Sequence, residues 1–557
     1  MSLTQALATS LSGLNATQTS LSVVAGNIAN AQTPGYVALT ANQVSTGSGD
    51  GGVGVDIASI TRLLDQFIQK QLRSESSGGA YADLRSNFFQ QLQQVYGQPG
   101  SDTSLDSVFN KFTSAVQALS TSPSSSVAQS QTIAAAQTLA QQLNDATNSI
   151  QSLRSQADQG IAGDVQQANN ALQQIANINQ QLAGASGTDA MSAQLESQRD
   201  QYIDQLSKLM DIRVVQNGSN QVSVFTGSGA QLVGAQASQL NFTPTGTVTA
   251  QQQWKADPTK SALGTITLTS PGGGSVDLLA NGEIRSGEIA GYLNMRDGVL
   301  VQAQGQIDEI AAQMSKALSD TTTAGTAVAG GFDVGIGGLS NGNTIQVSYT
   351  DGSSVQHNVT IVRVDDPSAL PLSNAATVNP NDTVIGVNFT GGAAAVATAL
   401  NTALGATGLQ FSNPSGAILE VINSGSPAIT VNAVSTTATA TSLTGGSGAL
   451  PLFVDGATAY TGAFTSGGPE STGYAGRIAV NSGLIADPSK LVTYQTSPQT
   501  PAGDATRPNF IYNQLVNASL EYSPAAGIGG AASPFQGTLS AYMGQMVSTQ
   551  SIAANAA

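Results

Sequence analysis

The first 30 residues carry apolar side chains at intervals typical of an amphipathic helix. Large apolar residues recur every seven positions and further ones widen the same stripe: Leu7, Leu14, Leu21 and Ile28, then Leu3, Leu11, Val24 and Ala25. Positions spaced in this way fall on one face of an α-helix. The pattern predicts a helix from Ser2, which fits a capping box with Gln5, and the seven-residue repeat predicts a partner helix.

This first helix is expected to end near Asn30. Pro34 disfavours helical conformation at Thr33, and Gly35 suits the left-handed position of a turn. Two interpretations of the apolar stripe stay open at this point. Either the helix folds onto its own domain as an ordinary surface helix, or the stripe packs against a helix from elsewhere.

Helical periodicity continues through most of the first 210 residues. After a glycine-rich break at 47–54, a second helix is predicted from Ile57, Ile60, Leu63, Leu64, Phe67, Ile68 and Leu72. Gln and Ala fill the polar faces of the later stretches, which are broken by Pro123 and by the glycines near 184–187. These further helices are expected at about 104–119, 127–182 and 190–210.

Beyond Ile212 the pattern changes to short alternating segments between Asn-Gly and Gly-Ser turns, which predicts β-strands. Helical spacing returns at about 288–318. Residues 321–492 are rich in Gly, Thr, Ala, Ser and Val and predict one or two inserted β domains. From Asn509 onward the chain is helical again, with an apolar stripe at Leu539, Tyr542, Met543 and Met546.

These patterns predict a multidomain α+β fold. Long, coiled-coil-like helices from both termini form a helical core, and β-rich domains are inserted between them. A length of 557 residues favours three or four domains. The predicted division is an N-terminal helix and turn at 1–42, a mainly helical core domain at 43–212, a β-rich subdomain at 213–281, a helix returning to the core at 282–320, a variable Thr/Gly-rich β region at 321–492, and a return to the helical core with an incomplete C-terminal helix at 493–557.

The composition excludes several classes of function. Only 9% of the residues are charged and the net charge is -16, so no nucleic-acid partner is expected, because phosphate binding needs clustered Lys and Arg. The chain has no cysteine, which excludes disulfides and thiolate chemistry. The N-terminus lacks a secretory signal pattern and no apolar run approaches 18 residues, so no membrane insertion is expected.

Candidate chemical sites are few, and each has a simpler structural explanation. The single histidine, His357, excludes a histidine cluster and would have to carry any catalytic triad alone. Asp365 and Asp366 precede Pro367 and fit a turn better than catalytic carboxylates, which face each other across a cleft. Residues 51–56 fit part of one calcium-binding repeat, but such sites need stacked repeats. No cofactor and no metal is therefore expected.

Several segments resemble axial proteins of the bacterial flagellum. Residues 22–36 contain Asn-Ile-Ala-Asn followed by Thr-Pro-Gly-Tyr and resemble the signature of the rod and hook family. Residues 52–62 and 65–73 resemble the hook-associated branch of that family, and residues 196–206 and 287–300 agree with the same branch. The similarity spans most of the first 300 residues.

The resemblance implies a non-enzymatic structural subunit, exported through the flagellar type III apparatus to the extracellular hook-filament junction. It implies a ring of copies of this chain, contacts with the hook protein and with the next hook-associated protein on the filament side, and an export chaperone. The residues that it implies in assembly are Leu7, Leu14, Leu21, Asn27, Ile28, Asn30, Pro34, Gly35 and Tyr36.

One departure from the family leads to a further expectation. Family members usually end in a long heptad helix, whereas this sequence stops after residues 551–557. The chain alone is therefore expected to be monomeric with frayed ends. The resemblance also implies an export signal in the N-terminal region, so residues 1 to about 40 are expected to be mobile in the free chain. Two other function classes stay open: an extracellular adhesin whose 321–492 region recognises a glycan or host surface, and an enzyme with an Asp/Glu-only site in an inserted β domain.

Overall fold

A computed structural model describes residues 3–33, 35–48, 51–97, 101–184, 189–218, 220–529 and 533–557. Over these ranges the predicted fold class is confirmed, because the fold is multidomain α+β, with helices at both ends of the chain and several sheets between them. Within the same ranges, no helix combines the length and the apolarity that crossing a membrane requires.

Long helices dominate the first 209 residues, and shorter helices follow. A π-helical segment, Met295–Val299, joins the sixth helix to the seventh. The helices are α1 Leu3–Ala29, α2 Gln66–Tyr96, α3 Leu105–Thr121, α4 Ser126–Ala183, α5 Ala190–Leu209, α6 Glu288–Asn294, α7 Leu300–Ser319, α8 Gly392–Leu404, α9 Ser482–Ala486, α10 Thr506–Val516 and α11 Leu539–Ala556.

The strands form a hairpin near the N-terminus and small sheets thereafter. The hairpin is β1 Leu39–Ser48 with β2 Gly51–Arg62, and a β-rich unit follows with β3 Ile212–Gln216, β4 Val222–Thr226, β5 Gln231–Val233, β6 Gln239–Asn241, β7 Thr267–Thr269 and β8 Ser275–Asp277.

A five-stranded sheet has the order β14-β13-β12-β17-β9 and a four-stranded sheet the order β10-β11-β16-β15. Their strands are β9 Asp320–Ala324, β10 Thr326–Val328, β11 Gly331–Gly335, β12 Thr344–Thr350, β13 Gln356–Arg363, β14 Thr383–Val387, β15 Leu409–Ser412, β16 Ile418–Asn423 and β17 Thr430–Thr439. Short strands complete the chain: β18 Phe453–Asp455, β19 Thr458–Ala459, β20 Phe464–Thr465, β21 Gly468–Pro469, β22 Ile478–Val480, β23 Leu520–Tyr522 and β24 Phe535–Gly537.

The longest helix, α4, connects two apolar cores. Its 58 residues extend about 87 Å at 1.5 Å per residue, and the Ser125 hydroxyl caps its start by accepting from the Ala128 N–H. Buried side chains recur at three- and four-residue spacing along its length. The N-terminal half packs with α2, α3 and α7 in a core that also contains α10 and α11, and the C-terminal half packs with α5 and the strands of the β-rich unit.

The segment 57–64 differs from the sequence prediction, because its first part is a strand and not a helix. Ile57 and Ile60 lie in β2, and α2 begins only at Gln66, where the Asp65 carboxylate accepts from two backbone N–H groups. Cross-strand pairing with β1 and the β-branched side chains of this segment override its helical spacing. The predicted core domain at 43–212 therefore contains this hairpin as well as helices.

The region between α7 and α10 has two parts, which differ in the core that buries their apolar side chains. Strands β9 to β17 and helix α8 enclose a core of their own. This sheet unit ends at Thr439, and the following segment buries Leu450, Phe453 and Tyr474 in the helical core. Composition did not reveal the division, because both parts contain short alternating strands and only the tertiary fold decides which core buries them.

The C-terminal helix α11 packs as its sequence pattern predicts. Leu539, Tyr542, Met543 and Met546 are all buried in the helical core. The Tyr542 ring stacks on Tyr522 with centroids 4.0 Å apart. The predicted stripe of this helix is therefore confirmed as part of a core in the same chain.

Candidate assembly surface

Helix α1 lies against the β1-β2 hairpin through its small and polar side chains. Ala16 and Val23 are its two buried residues. The Ser12 hydroxyl accepts from the Val55 N–H at 3.2 Å, and the Ser20 hydroxyl accepts from the Gln43 amide at 3.1 Å. Small side chains let a helix approach a strand closely, so this face is filled by the chain itself.

The leucine stripe of α1 lies on the opposite face and is exposed. Leu14 and Leu21 are roughly half a turn from Ala16 and Val23 at 3.6 residues per turn. Four of the predicted assembly residues are open to solvent, with exposed fractions of 69% for Leu7, 62% for Leu14, 64% for Leu21 and 73% for Ile28. The helix does fold onto its own chain, but it does so without its leucine stripe.

Asn27 and Tyr36 hold the turn that follows α1. The Asn27 amide donates to the Leu39 carbonyl and accepts from the Leu39 N–H, both at 2.9 Å, and it accepts from the Tyr36 hydroxyl at 2.8 Å. Gly35 has φ of 78°, a left-handed conformation that suits glycine, and a Cβ there would lie 3.3 Å from the Gln201 side chain. These residues fix where β1 starts relative to α1.

Asn30 closes the end of α1 as its amide chemistry predicts. Its backbone N–H and its side-chain amide both donate to the Gly26 carbonyl at 3.0 Å. The Thr33 N–H then donates to the Asn30 carbonyl at 2.9 Å. Pro34 lies outside the described residues. The structure thus divides the candidate residues into an exposed apolar stripe and a hydrogen-bonded turn.

A buried ion-pair network joins three of the family-like segments, and sequence reasoning did not single out its residues. Arg62 pairs with Glu196 at 2.8 Å and with Asp200 at 2.5 Å, while Arg73 pairs with Asp200 at 3.0 Å and with Asp204 at 2.7 Å. The network ties the end of β2 and the first part of α2 to α5. It therefore fixes the hairpin and α1 on the helical core.

The network determines the charge state of its central carboxylate. Burial alone would raise the pKa of Asp200, but the charges and hydrogen bonds of Arg62 and Arg73 outweigh burial and hold the pKa below its ordinary value. Burial raises the pKa of Asp204, and the hydrogen bond from Arg73 offsets part of that rise. The sequence did contain a signal for this network. Few residues of the chain are charged, yet all five members of the network lie in segments that resemble the hook-associated branch.

A second exposed apolar strip lies at the start of α2. The strip consists of four side chains around the N-cap residue Asp65, with exposed fractions of 57% to 76%: Leu63, Phe67, Ile68 and Leu72. The spacing of these side chains predicts a helix but not their exposure. The first 49 residues also contain no Asp, Glu, Lys or Arg, and neither do residues 522–557. Any partner of the stripe on α1 would therefore meet an apolar, uncharged surface.

His357, Asp365 and Asp366 have structural partners. The His357 ring N–H donates to the Asp351 carboxylate at 2.9 Å, and the ring stacks on Tyr349 with centroids 5.0 Å apart. Asp365 pairs with Arg363 at 2.8 Å. The Asp366 carboxylate caps the short helical turn that starts at Pro367, which agrees with the predicted turn.

Comparison with protein families finds two models that match parts of this chain. Residues 89–336 match the model described as the flagellar hook-associated protein FlgK helical domain, and residues 7–36 match that of the flagella basal body rod protein. The chain is similar to FlgK-type proteins. The second match covers α1 and its turn, the same residues that carry the predicted signature. The chain accordingly has a structural role in the bacterial flagellum.

Two curated relatives are identical to this chain at about a quarter of the aligned residues. The flagellar hook-associated protein 1 of Bacillus subtilis is 25% identical over 409 residues, which cover 69% of this chain and 80% of the relative. That of Salmonella typhimurium is 26% identical over 323 residues, covering 57% and 56%. The flagellar hook junction protein FlgK of Burkholderia pseudomallei has 19% identity and a TM-score of 0.39, covering 67% of this chain and 62% of its own.

Proposed function

We propose that this chain is a ring-forming subunit of the hook-filament junction, and that the leucine stripe of α1 is its principal contact with neighbouring subunits. The observation that carries the proposal is the exposure of Leu7, Leu14, Leu21 and Ile28 on a helix whose other face is already packed. Burying a leucine side chain is worth roughly 1.5–3 kcal/mol. A stripe of this length gives a strong driving force for association.

The proposed partners follow from the similarity to FlgK-type proteins. A ring closes through head-to-tail contacts between two different surface patches. The leucine stripe of α1 and the exposed strip at Leu63 to Leu72 are two such patches. We infer contacts with the hook protein on one side, with the next hook-associated protein on the filament side, and with an export chaperone before assembly. The location is the extracellular flagellum. Ring formation, these partners and a purely non-enzymatic role are proposals.

The test compares two substitutions in the stripe with matched substitutions elsewhere. In a bacterium that lacks its own junction protein, we expect the chain to restore filament attachment and the Leu14→Ser, Leu21→Ser variant to lose it. Removing two exposed apolar side chains leaves the fold intact, because neither is packed in the chain. Filaments per cell and the amount of exported chain are measured together.

The controls remove equally exposed apolar side chains outside the stripe. Val127→Ser and Met191→Ser change residues that are 64% and 71% exposed on α4 and α5, and both variants are expected to support attachment. If the stripe variant is exported, melts like the parent chain and still attaches filaments normally, α1 is not the principal contact. The adhesin hypothesis has no observation in its favour.

A further inference from the structure

Arg199, on α5, is a buried arginine that uses only one end of its guanidinium group. The residue is 3% exposed. Both of its hydrogen bonds leave from Nη1, which donates to the Asn179 side chain at 3.2 Å and to the Asn220 carbonyl. Among the described residues, neither Nε nor Nη2 has an acceptor. The bonds from Nη1 fix the position of the group and leave its Nε/Nη2 edge without a partner in the chain.

The same edge of three other arginines binds one carboxylate each. In every pair Nε and Nη2 donate to the two oxygens of one aspartate at 2.8–3.1 Å: Arg296 with Asp297, Arg363 with Asp365, and Arg477 with Asp455. Such pairs match the spacing of carboxylate oxygens and are stronger than bonds between neutral groups. Two more arginines have an Nε without an acceptor, but Arg507 donates through Nη2 to the Ser447 carbonyl at 2.9 Å, and Arg85 lies over two aromatic rings. The Arg199 edge therefore has the chemistry of a carboxylate-binding group.

Arg199 lines a cavity of about 270 Å³ between the end of β2, α5 and the turn that joins β3 to β4. Arg62 and Glu196 line it as well, and the exposed side chains of Gln66 and Gln216 open it to solvent. Pockets for drug-sized ligands measure about 300–1,000 Å³, so this cavity suits a small group. Since Nη1 is taken up within the chain, Nε and Nη2 are the donors that Arg199 can offer to a ligand there.

The charges around the cavity favour one further negative charge. Burial is the main cause that lowers the pKa of Arg199, and the like charges of Arg62 and Arg73 act in the same direction. The carboxylates of Asp200 and Glu196 raise this pKa, but it stays below its ordinary value. The acidic neighbours thus do not fully offset the cost of burying the cation. A carboxylate on the Arg199 edge would add the counter-charge, whereas Glu196 in the same cavity disfavours a more highly charged ligand such as phosphate.

We propose that this cavity binds a carboxylate group, which accepts one hydrogen bond from Nε and one from Nη2 of Arg199. The carboxylate belongs either to a small free acid or to an Asp or Glu side chain of another polypeptide, because the edge recognises both in the same way. The proposal does not depend on ring formation. A water molecule could accept from the same edge but would add no counter-charge, and this is the alternative that the test addresses.

The test uses the purified full-length chain and ¹³C-labelled acetate as the probe, at constant ionic strength. Saturable broadening of the acetate signal gives the dissociation constant, and the ¹⁵N resonances of the arginine Nε groups show which arginine responds. Arg199→Lys keeps the positive charge but lacks the edge with two N–H groups. The matched control is Arg213→Lys, because Arg213 is exposed and does not line the cavity. Acetamide, which is uncharged, serves as the control ligand.

We expect acetate to bind the parent chain with a dissociation constant on the order of millimolar. Arg199→Lys should bind acetate at least about tenfold more weakly and melt like the parent. The Nε resonance that is missing from the spectrum of Arg199→Lys should shift in the parent with the same midpoint. Arg213→Lys should bind like the parent, and acetamide should not bind.

A second variant tests the site even if Arg199→Lys does not fold. Glu196→Gln removes a negative charge from the cavity, so it should bind acetate roughly two- to fivefold more tightly than the parent, the range for one partly exposed charge pair. Unchanged or weaker binding by Glu196→Gln would mean that acetate does not bind beside Glu196, and the proposed site would be wrong.

Two further ligands distinguish the sources of the carboxylate. N-acetylglutamate amide presents a side-chain carboxylate, and N-acetylglutamine amide is its uncharged counterpart. Tighter binding of the glutamate derivative than of acetate would assign the site to an acidic side chain. Tighter binding of acetate would assign it to a small free acid.

Three results would overturn the proposal. If neither carboxylate binds in a saturable way, water satisfies the Arg199 edge. If phosphate binds more tightly than acetate, the ligand class is different. Equal binding of acetate by the parent and by a folded Arg199→Lys chain would place the carboxylate elsewhere on the molecule.

Discussion

Asp164 is a buried carboxyl group without a counter-charge, on the face of α4 that packs against α6. One of its oxygens has no hydrogen-bond partner among the described residues. Burial, with the neighbouring Glu288 carboxylate, raises its pKa to about 7. Tyr292 lies close by, and burial raises its pKa as well. This contrasts with Asp200, where two arginines hold the carboxylate in its charged form.

The first prediction concerns pH and Asp164→Asn. Between about pH 4 and about pH 7 the folded chain retains a proton on Asp164 that the unfolded chain releases, so this group lowers the free energy of unfolding as pH rises. Asparagine does not ionise, so the variant does not lose this part of the free energy of unfolding as pH rises. We expect the variant to match the parent near pH 4 and to be more stable near pH 8, by on the order of 4 kcal/mol.

Thermal unfolding at both pH values measures the Asp164 effect. Asp83→Asn serves as control, because Asp83 is an exposed carboxylate on α2, and it should preserve the pH dependence of the parent. Parallel curves for Asp164→Asn and the parent would mean that Asp164 ionises without cost in the folded chain.

At the scale of elements, α4 contains two glycines that differ only in their surroundings. A Cβ on Gly160 would lie 2.4 Å from Cζ of Tyr292 in α6, whereas a Cβ on Gly163 would meet nothing within 4 Å. The Tyr292 ring is held by an edge contact with Phe88, with centroids 5.9 Å apart. Gly160 is therefore where α6 approaches α4, and Gly163 is not.

The second prediction compares alanine at these two positions. Gly163→Ala should stabilise the chain by up to about 1 kcal/mol, because alanine favours the helix. Gly160→Ala should destabilise it by about 1–3 kcal/mol, because the added methyl group displaces the Tyr292 ring. Denaturant unfolding measures both, and equal stabilisation by the two substitutions would show that the ring moves freely.

At the scale of the whole molecule, the sheet unit of β9 to β17 enters and leaves the helical core at one point. The Ala440 N–H donates to the Ser319 carbonyl at 2.8 Å, and Asp320 pairs with Thr439 at the junction. The sheet unit has further contacts with the segment that follows it: the Ser466 N–H donates to the Asp366 carboxylate at 2.8 Å, and Phe464 packs against a small buried cluster that includes Val364. An inserted unit with adjacent ends can be removed without opening the rest of the fold.

The third prediction is that a chain lacking residues 321–438, closed by two glycines, keeps its helical core. Far-ultraviolet circular dichroism and a cooperative melting transition should persist, since the core of α4, α7 and α11 loses none of its apolar contacts. A chain lacking residues 443–492 should fail to fold, because Leu450, Phe453 and Tyr474 belong to that core. If the chain lacking residues 443–492 folded, this segment would belong with the inserted β region, as the predicted boundary at residue 492 has it.

Much of this architecture could be predicted from the sequence because it depends on local pattern. The spacing of Leu7, Leu14 and Leu21 predicted α1 within a residue or two of Leu3–Ala29, and the stripe of α11 was predicted residue by residue. The Asn-Ile-Ala-Asn and Thr-Pro-Gly-Tyr motif indicated the family. Helix periodicity and turn chemistry act over a few residues, so they are visible in the sequence alone.

Tertiary structure decided which distant segments contact each other. Pairing with β1 decided that Ile57 and Ile60 form a strand and not a helix. Leu450 is buried beside α7, which lies more than 100 residues earlier in the sequence. The pairing of Arg62 and Arg73 with Asp200 joins positions 138 and 127 residues apart. The sequence by itself determined that α1 has an apolar face; only the fold decided that the opposite face packs on the hairpin, because burial depends on neighbours that local pattern does not specify.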